Sequence, residues 1–161
     1  MGNSAMKFKV VAVGKIKENF YKDAIAEYAK RISRFAKIEI VEVDECLFQG
    51  NPNDKEKDKI LQTEGKAILS KLEGFVVALD IDGQTLTSNQ LSSTITNAKQ
   101  TNSCITFVIG GSYGMLEEIK KRANLRFSFG RITLPHQLAR VVLVEQIYRA
   151  CTIENNVSYH K

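Results

Sequence analysis

The chain has 161 residues, 43% hydrophobic and 25% charged, with a formal net charge of +5. That length supports one well-buried core and is short for two, so a single domain is expected. No apolar stretch approaches the ~20 residues of a membrane span and no signal peptide is visible, while Met1 to Ala5, ahead of Met6, reads as a cloning remnant outside the fold. Cys46, Cys104 and Cys151 are widely spaced, with no Cys-x-x-Cys pair and only two histidines elsewhere. That pattern argues against a disulfide framework or a metal site, and for buried thiols in a reducing cytoplasm.

The first element is the apolar run Phe8 to Val13, ending at Gly14. It reads as a strand buried on both faces. Tyr21, Ala24, Ile25, Tyr28, Ile32 and Phe35 follow with helical spacing, then a second strand over Ile38 to Val43. A turn-rich piece, Gln49 to Asp54, leads into a charged helix start at Lys55 to Lys59. Phe75 to Asp80 is a third strand closed by Asp82-Gly83, and Ser88 is the expected N-cap of a helix carrying Leu91, Ile95 and Ala98. A strand over Ile105 to Ile109 precedes a short helix with Leu116, Ile119 and Ala123, and a last strand lies within Arg126 to Leu134, with Gly130 as its breaking point. Five β-α alternations predict an α/β fold, a mostly parallel sheet with helices on both faces.

The final helix, Gln137 to Cys151, is apolar on nearly every side. A helix on one face of a sheet needs only a stripe, so a homodimer interface is the economical expectation, with a central core helix as the other. Basic residues crowd two regions, Lys15 to Lys37 and Lys120 to Arg149. They serve either as solubilising charge or as a nucleic-acid footprint.

Gly110-Gly111-Ser112-Tyr113-Gly114 follows a strand and precedes a helix, the place where α/β proteins grip ligands, but it is neither Gly-x-Gly-x-x-Gly nor a phosphate loop. A dinucleotide or nucleoside-triphosphate site is therefore disfavoured. In Ile132-Thr133-Leu134-Pro135-His136-Gln137 the proline keeps the chain extended up to Leu134 and then admits a helix. Main-chain groups beside apolar side chains in such a segment suit a planar, hydrogen-bonding group such as adenine.

Four segments together, Leu79 to Gly83, Phe107 to Gly114, Thr133 to Val141 and Tyr159-His160-Lys161, resemble the ribosomal large subunit pseudouridine methyltransferase H family of α/β-knot (SPOUT) methyltransferases, over about Met6 to Lys161. The resemblance implies a homodimer with a C-terminal trefoil knot. It also implies S-adenosylmethionine-dependent methylation of N3 of a pseudouridine in 23S rRNA, on the assembled ribosome and without a metal. The cofactor site it implies is Leu79, Gly110 and the loop Phe129, Gly130, Arg131, Ile132, Thr133 and Leu134. Gln84 stands where the family often has lysine, which weakens any role for a cation there, and Arg131 leaves open whether a side chain or only main chain meets the cofactor.

The chemistry is in-line displacement at a sulfonium methyl and needs a positioned, deprotonated imide nitrogen, with positioning supplying most of the rate. The expected catalytic residues are Tyr159, as a platform or hydrogen-bond partner for an unstacked base, and His160, as base or partner, with Lys161 on phosphate. His136 is the rival base. Arg140 needs a partner for its guanidinium, either Glu145, a substrate phosphate or the cofactor carboxylate. A non-catalytic ribosome-binding protein is the alternative function.

Overall fold

A computed structural model describes residues 6–161; the remnant expected at Met1 to Ala5 lies outside the described residues. Ten elements alternate: β1 (Lys7–Val13), α1 (Asn19–Ile32), β2 (Lys37–Val43), α2 (Asp54–Leu69), β3 (Phe75–Thr85), α3 (Ser88–Lys99), β4 (Cys104–Ile109), α4 (Glu117–Arg122), β5 (Leu125–Ser128) and α5 (His136–Glu154). The five strands form one sheet in the order β2-β1-β4-β3-β5, and every pairing is parallel. The Val/Ile-rich runs are buried on both faces, as a parallel sheet requires. One face, through Phe8, Val10, Phe107 and Ile105, packs on α1, α3 and α5; the other, through Val11, Val76 and Val108, packs on α2 and α4.

The helix starts are chemically explicit. Asn53 caps α2 through a box with Glu56, and Thr87 caps α3 through a box with Gln90. Ser88, expected as that cap, is instead the first helical residue, and its hydroxyl donates to Gln146 Oε1 on α5 at 2.8 Å. Thr87 wins because a threonine followed three residues later by glutamine satisfies two main-chain donors at once.

Helix α5 runs between α1 and α3, and none of its residues is fully exposed. Tyr148 meets Tyr28 of α1 with ring centroids 6.2 Å apart, and Ser92 of α3 donates to Ala150 O at 3.1 Å. Most of the all-round apolarity of α5 is thus used inside one chain. What is left is a half-buried outer stripe of Leu138, Val141, Val142, Glu145 and Arg149, at i, i+3, i+4, i+7 and i+11. Cys104 and Cys151 are buried as expected, and burial pushes the Cys151 thiol up to about 12.

One ion pair ties α5 to the far strands. Arg140, 2% exposed, donates from Nη1 to Glu42 Oε2 at 2.6 Å and from Nη2 to Gly14 O at 3.0 Å. Glu42 Oε2 also accepts the N–H of Ile16 at 3.2 Å, so a single carboxylate joins β2, the end of β1 and α5. Glu145, expected as a possible partner for Arg140, is occupied by Arg149 and Tyr159. Glu42→Ala, which strands a buried guanidinium, is expected to destabilise the fold by about 3 kcal/mol. Arg140→Met keeps the packing and leaves a carboxylate that water can reach, and should cost less than ~2 kcal/mol. Urea denaturation of both variants checks the order.

Candidate functional site

A cavity of about 410 Å³ lies where the C-terminal ends of β4, β3 and β5 come together. Open α/β sheets bind ligands at that end of their strands. Strand β3 makes the first wall by leaving the sheet. Leu79 and Gln84 both pair with Phe127 of β5, so Asp80 to Gly83 are looped out between them. The Asp82-Gly83 turn, expected to close the strand, is therefore a bulge within it, and β3 continues to Thr85. Its glycine is required by space: a Cβ on Gly83 would sit 2.6 Å from the main chain of Arg126.

Asp80 is 8% exposed and fixes the bulge. Its Oδ1 accepts the N–H of Asp82 at 3.0 Å, while Oδ2 receives Arg126 Nη1 at 3.3 Å and faces Lys120 Nζ at 3.8 Å. The cation beside this wall is thus Lys120, from α4, whereas Gln84 is exposed on the strand beyond the bulge.

The second wall is the Gly110 to Gly114 turn. Gly111 and Gly114 exchange two main-chain hydrogen bonds, of 3.2 and 3.1 Å. A Cβ on Gly110 would collide with Gly114 O at 2.4 Å, so the turn closes only on glycine. Beneath it lies Glu64 of α2, 4% exposed, whose Oε2 accepts the N–H of Cys46 at 3.0 Å. Burial raises the pKa of this carboxyl, against the opposing effect of the Cys46 N–H.

The third wall is the loop after β5. That strand stops at Ser128, short of the expected span, because Gly130 turns with φ of 109° and the Ser128 hydroxyl accepts from Gly130 N and donates to Gly130 O. Among the described residues, no main-chain N–H from Arg131 to Leu134 donates to another protein group. Main-chain groups in such a position call for a ligand or water.

Of the eight expected cofactor positions, Leu79, Gly110, Phe129, Gly130, Ile132, Thr133 and Leu134 line this cavity; Arg131 does not and is exposed. His136 and Ala139, in the first turn of α5, complete the lining. Sequence reasoning missed Lys120 and Met115, which line the cavity, and Glu64, which supports it. The signal for Glu64 was present: Ile60, Glu64 and Ile68 share one helical stripe, so a carboxylate on that stripe had to be buried. An apolar cleft with a glycine-walled turn and unpaired main-chain donors fits S-adenosylmethionine, whose adenine needs apolar faces and edge hydrogen bonds.

The expected catalytic residues do not all meet here. Arg140 is buried against Glu42 and the end of β1, outside the cavity lining. Tyr159 and His160 lie on the other half of α5. The Tyr159 hydroxyl donates to Glu145 Oε2 at 2.7 Å, and its ring packs edge-on against Tyr148 at 4.7 Å and under Arg149 at 4.9 Å. Burial and the Glu145 carboxylate hold its phenol well above the usual tyrosine range. Arg149 Nη1 lies 3.0 Å from His160 Nδ1. At 1.5 Å per residue, the tail's anchors at Glu145 to Arg149 stand roughly 9–15 Å along α5 from Ala139.

Much of the C-terminal basic cluster has internal work. Lys120 and Arg126 face Asp80, Arg140 binds Glu42 and Arg149 binds Glu145; Lys121 and Arg131 are exposed. The described residues contain no group of acidic, histidine or cysteine side chains able to hold a metal, and no helix long and apolar enough to cross a membrane.

Comparison with known proteins agrees with this architecture. A family model described as "Predicted SPOUT methyltransferase" matches residues 6–160. Two Streptococcus pneumoniae proteins, from strains CGSP14 and ATCC 700669 / Spain 23F-1, each named Ribosomal RNA large subunit methyltransferase H, are 52% identical over 159 residues, covering 97% of this chain and 100% of each relative. Among solved structures, a probable methylase family protein from Haemophilus influenzae Rd KW20 superposes with TM-score 0.52 at 9% identity, covering 99% of this chain and 71% of that one. A putative methyltransferase from Legionella pneumophila, solved with bound cofactor SAM, gives TM-score 0.50 at 9% identity, over 91% of this chain and 67% of that one. The two structures share the fold, and the model match with the close relatives settles the lineage: the chain belongs to the SPOUT methyltransferase family.

Proposed function

We propose that this protein transfers a methyl group from S-adenosylmethionine to N3 of a pseudouridine in 23S rRNA on the assembled ribosome, as a cytoplasmic homodimer without a metal. The observation that carries this reading is the convergence of Leu79, Gly110 and most of Phe129 to Leu134 on one cavity, in a chain 52% identical to proteins named for rRNA large subunit methylation. The threading of the segment after β5 into a trefoil belongs to the same reading. A non-catalytic ribosome-binding role would leave this glycine-walled cavity without a task.

When bound, S-adenosylmethionine supplies an electrophilic sulfonium methyl. Leu79, Ile109, Ile132 and Leu134 would flank its adenine, and the free N–H groups of residues 132–134 would read the ring edge. Gly110 lets the main chain approach closely. Holding the cofactor against these walls would orient its methyl toward the uracil-like nitrogen, and positioning is where most of the rate comes from.

The tail contributes polarity at the reacting base. Arginine does not give up its proton, so Nδ1 of His160 accepts from Arg149 and the ring proton sits on Nε2. His160 therefore presents a donor, suited to a carbonyl of the base as its imide becomes negative. Tyr159, its one hydroxyl proton given to Glu145, acts as a platform and not as a phenolate. His136, on the cavity wall itself, is the residue placed to accept the imide proton.

Two copies complete each site. The outer stripe of α5, apolar at Leu138, Val141 and Val142, is the surface left for a partner, and a two-fold axis beside it would carry the tail of one copy toward the cavity of the other. This removes the separation between tail and cavity within one chain.

Calorimetry should show one S-adenosylmethionine site per chain, and Gly110→Ala should weaken it by at least about tenfold, equivalent to ~1.4 kcal/mol. Unchanged affinity would remove Gly110 from the site. Deleting Tyr159 to Lys161 should leave cofactor affinity within about twofold yet reduce methyl transfer to ribosomes lacking the modification by more than ~100-fold. Full activity of the truncated chain would overturn the role given to the tail.

A further inference from the structure

Tyr113 has no part in the chemistry above, yet it is held in an unusually defined position. It and Ser112 form the tip of the hairpin turn closed by the Gly111–Gly114 bridge. The base of that turn is closely packed. Gly110 is backed by Gly114 O, and Glu64 Oε1 lies 2.8 Å from where a Cβ on Gly111 would stand. Met115 and Leu116, which follow, are buried.

The turn nevertheless presents an aromatic ring to solvent, 39% exposed. Ser112 and Gly114 line the cavity while Tyr113 does not, so the ring stands on its rim. Lys57 of α2 approaches to 5.8 Å from the ring centroid, within cation–π range, and Lys55 and Lys59 are exposed on the same helix start. An exposed aromatic residue on a closely packed, hydrogen-bonded turn, with a cation beside it and a nucleotide-sized cavity next to it, has the chemistry by which proteins hold single-stranded nucleic acid. There the base stacks on the ring and lysine meets the phosphate.

We propose that Tyr113 is the stacking platform for an unpaired RNA base neighbouring the target nucleotide, and that Lys57 steadies the ring and meets the backbone of that nucleotide. This rests on the RNA methyltransferase reading. It assigns Tyr113 to substrate recognition, apart from the cofactor site and the tail.

The test compares the full-length protein with Tyr113→Phe, Tyr113→Leu and Tyr113→Ala, using ribosomes lacking the modification and tritiated S-adenosylmethionine, with cofactor affinity measured separately. Tyr113→Phe should stay within about twofold of the parent, whereas Leu and Ala should raise KM for ribosomes about 5- to 150-fold, the worth of one stacked base, at unchanged cofactor affinity. Tyr113→Leu as active as Tyr113→Phe would mean an apolar protein contact and would overturn the proposal. So would full activity of Tyr113→Ala, or a loss of cofactor affinity that marked the residue as structural. A parent protein that binds cofactor but methylates no ribosome would instead bring down the functional reading, and the proposal with it.

Discussion

The close approach of β3 to β5 at Gly83 is the constraint on which the site depends. Because no side chain separates Gly83 from the main chain of Arg126, β3 can leave the sheet after Leu79, return at Gln84 and resume pairing with the same residue, Phe127. The displaced residues, Asp80 to Asp82, become a wall. Asp80 then converts a floppy excursion into a fixed one by accepting from Asp82 and drawing Arg126 and Lys120 onto its other oxygen. A bulge of this kind re-aims side chains beside a site while leaving the sheet intact.

A different solution holds the opposite side of the molecule. Arg140 and Glu42 are 98 positions apart, and their contact joins α5 to strands that the cavity never touches. The pair keeps the first turns of α5, and with them His136 and Ala139, in place at the cavity edge. Arg140 thus acts on the site through position. The buried Nε of its guanidinium has no partner, so the ion pair is incompletely satisfied and serves orientation more than stability.

The alternation of strands and helices was legible because buried parallel strands are written as Val/Ile runs and amphipathic helices by their spacing. The loops expected to hold the cofactor come from the resemblance, and one cavity gathers seven of those eight positions. Three things were hidden for physical reasons. An Asp-Gly pair reads alike as a hairpin turn and as a bulge, since only its neighbours in space decide between them. The candidates for the partner of Arg140 are Glu145, a substrate phosphate and the cofactor carboxylate, and Glu42 is not among them, because sequence shows local pairs and conceals those across a sheet. The apolar circumference of α5 suggested an external partner, but α1 and α3 account for most of it.

The placement of α5 also governs when the protein can become itself. This helix of 19 residues follows the other nine elements, yet it fills the space between α1 and α3 and with them covers one face of the sheet. Until it arrives, the cover that α1 and α3 give to Phe8, Ile105 and Phe107 is incomplete. Closure of the core must therefore wait until α5 has been made, and the earlier elements persist meanwhile as an open, sticky half-structure. A growing chain of this protein has reason to need protection from aggregation until α5 has been made and has docked.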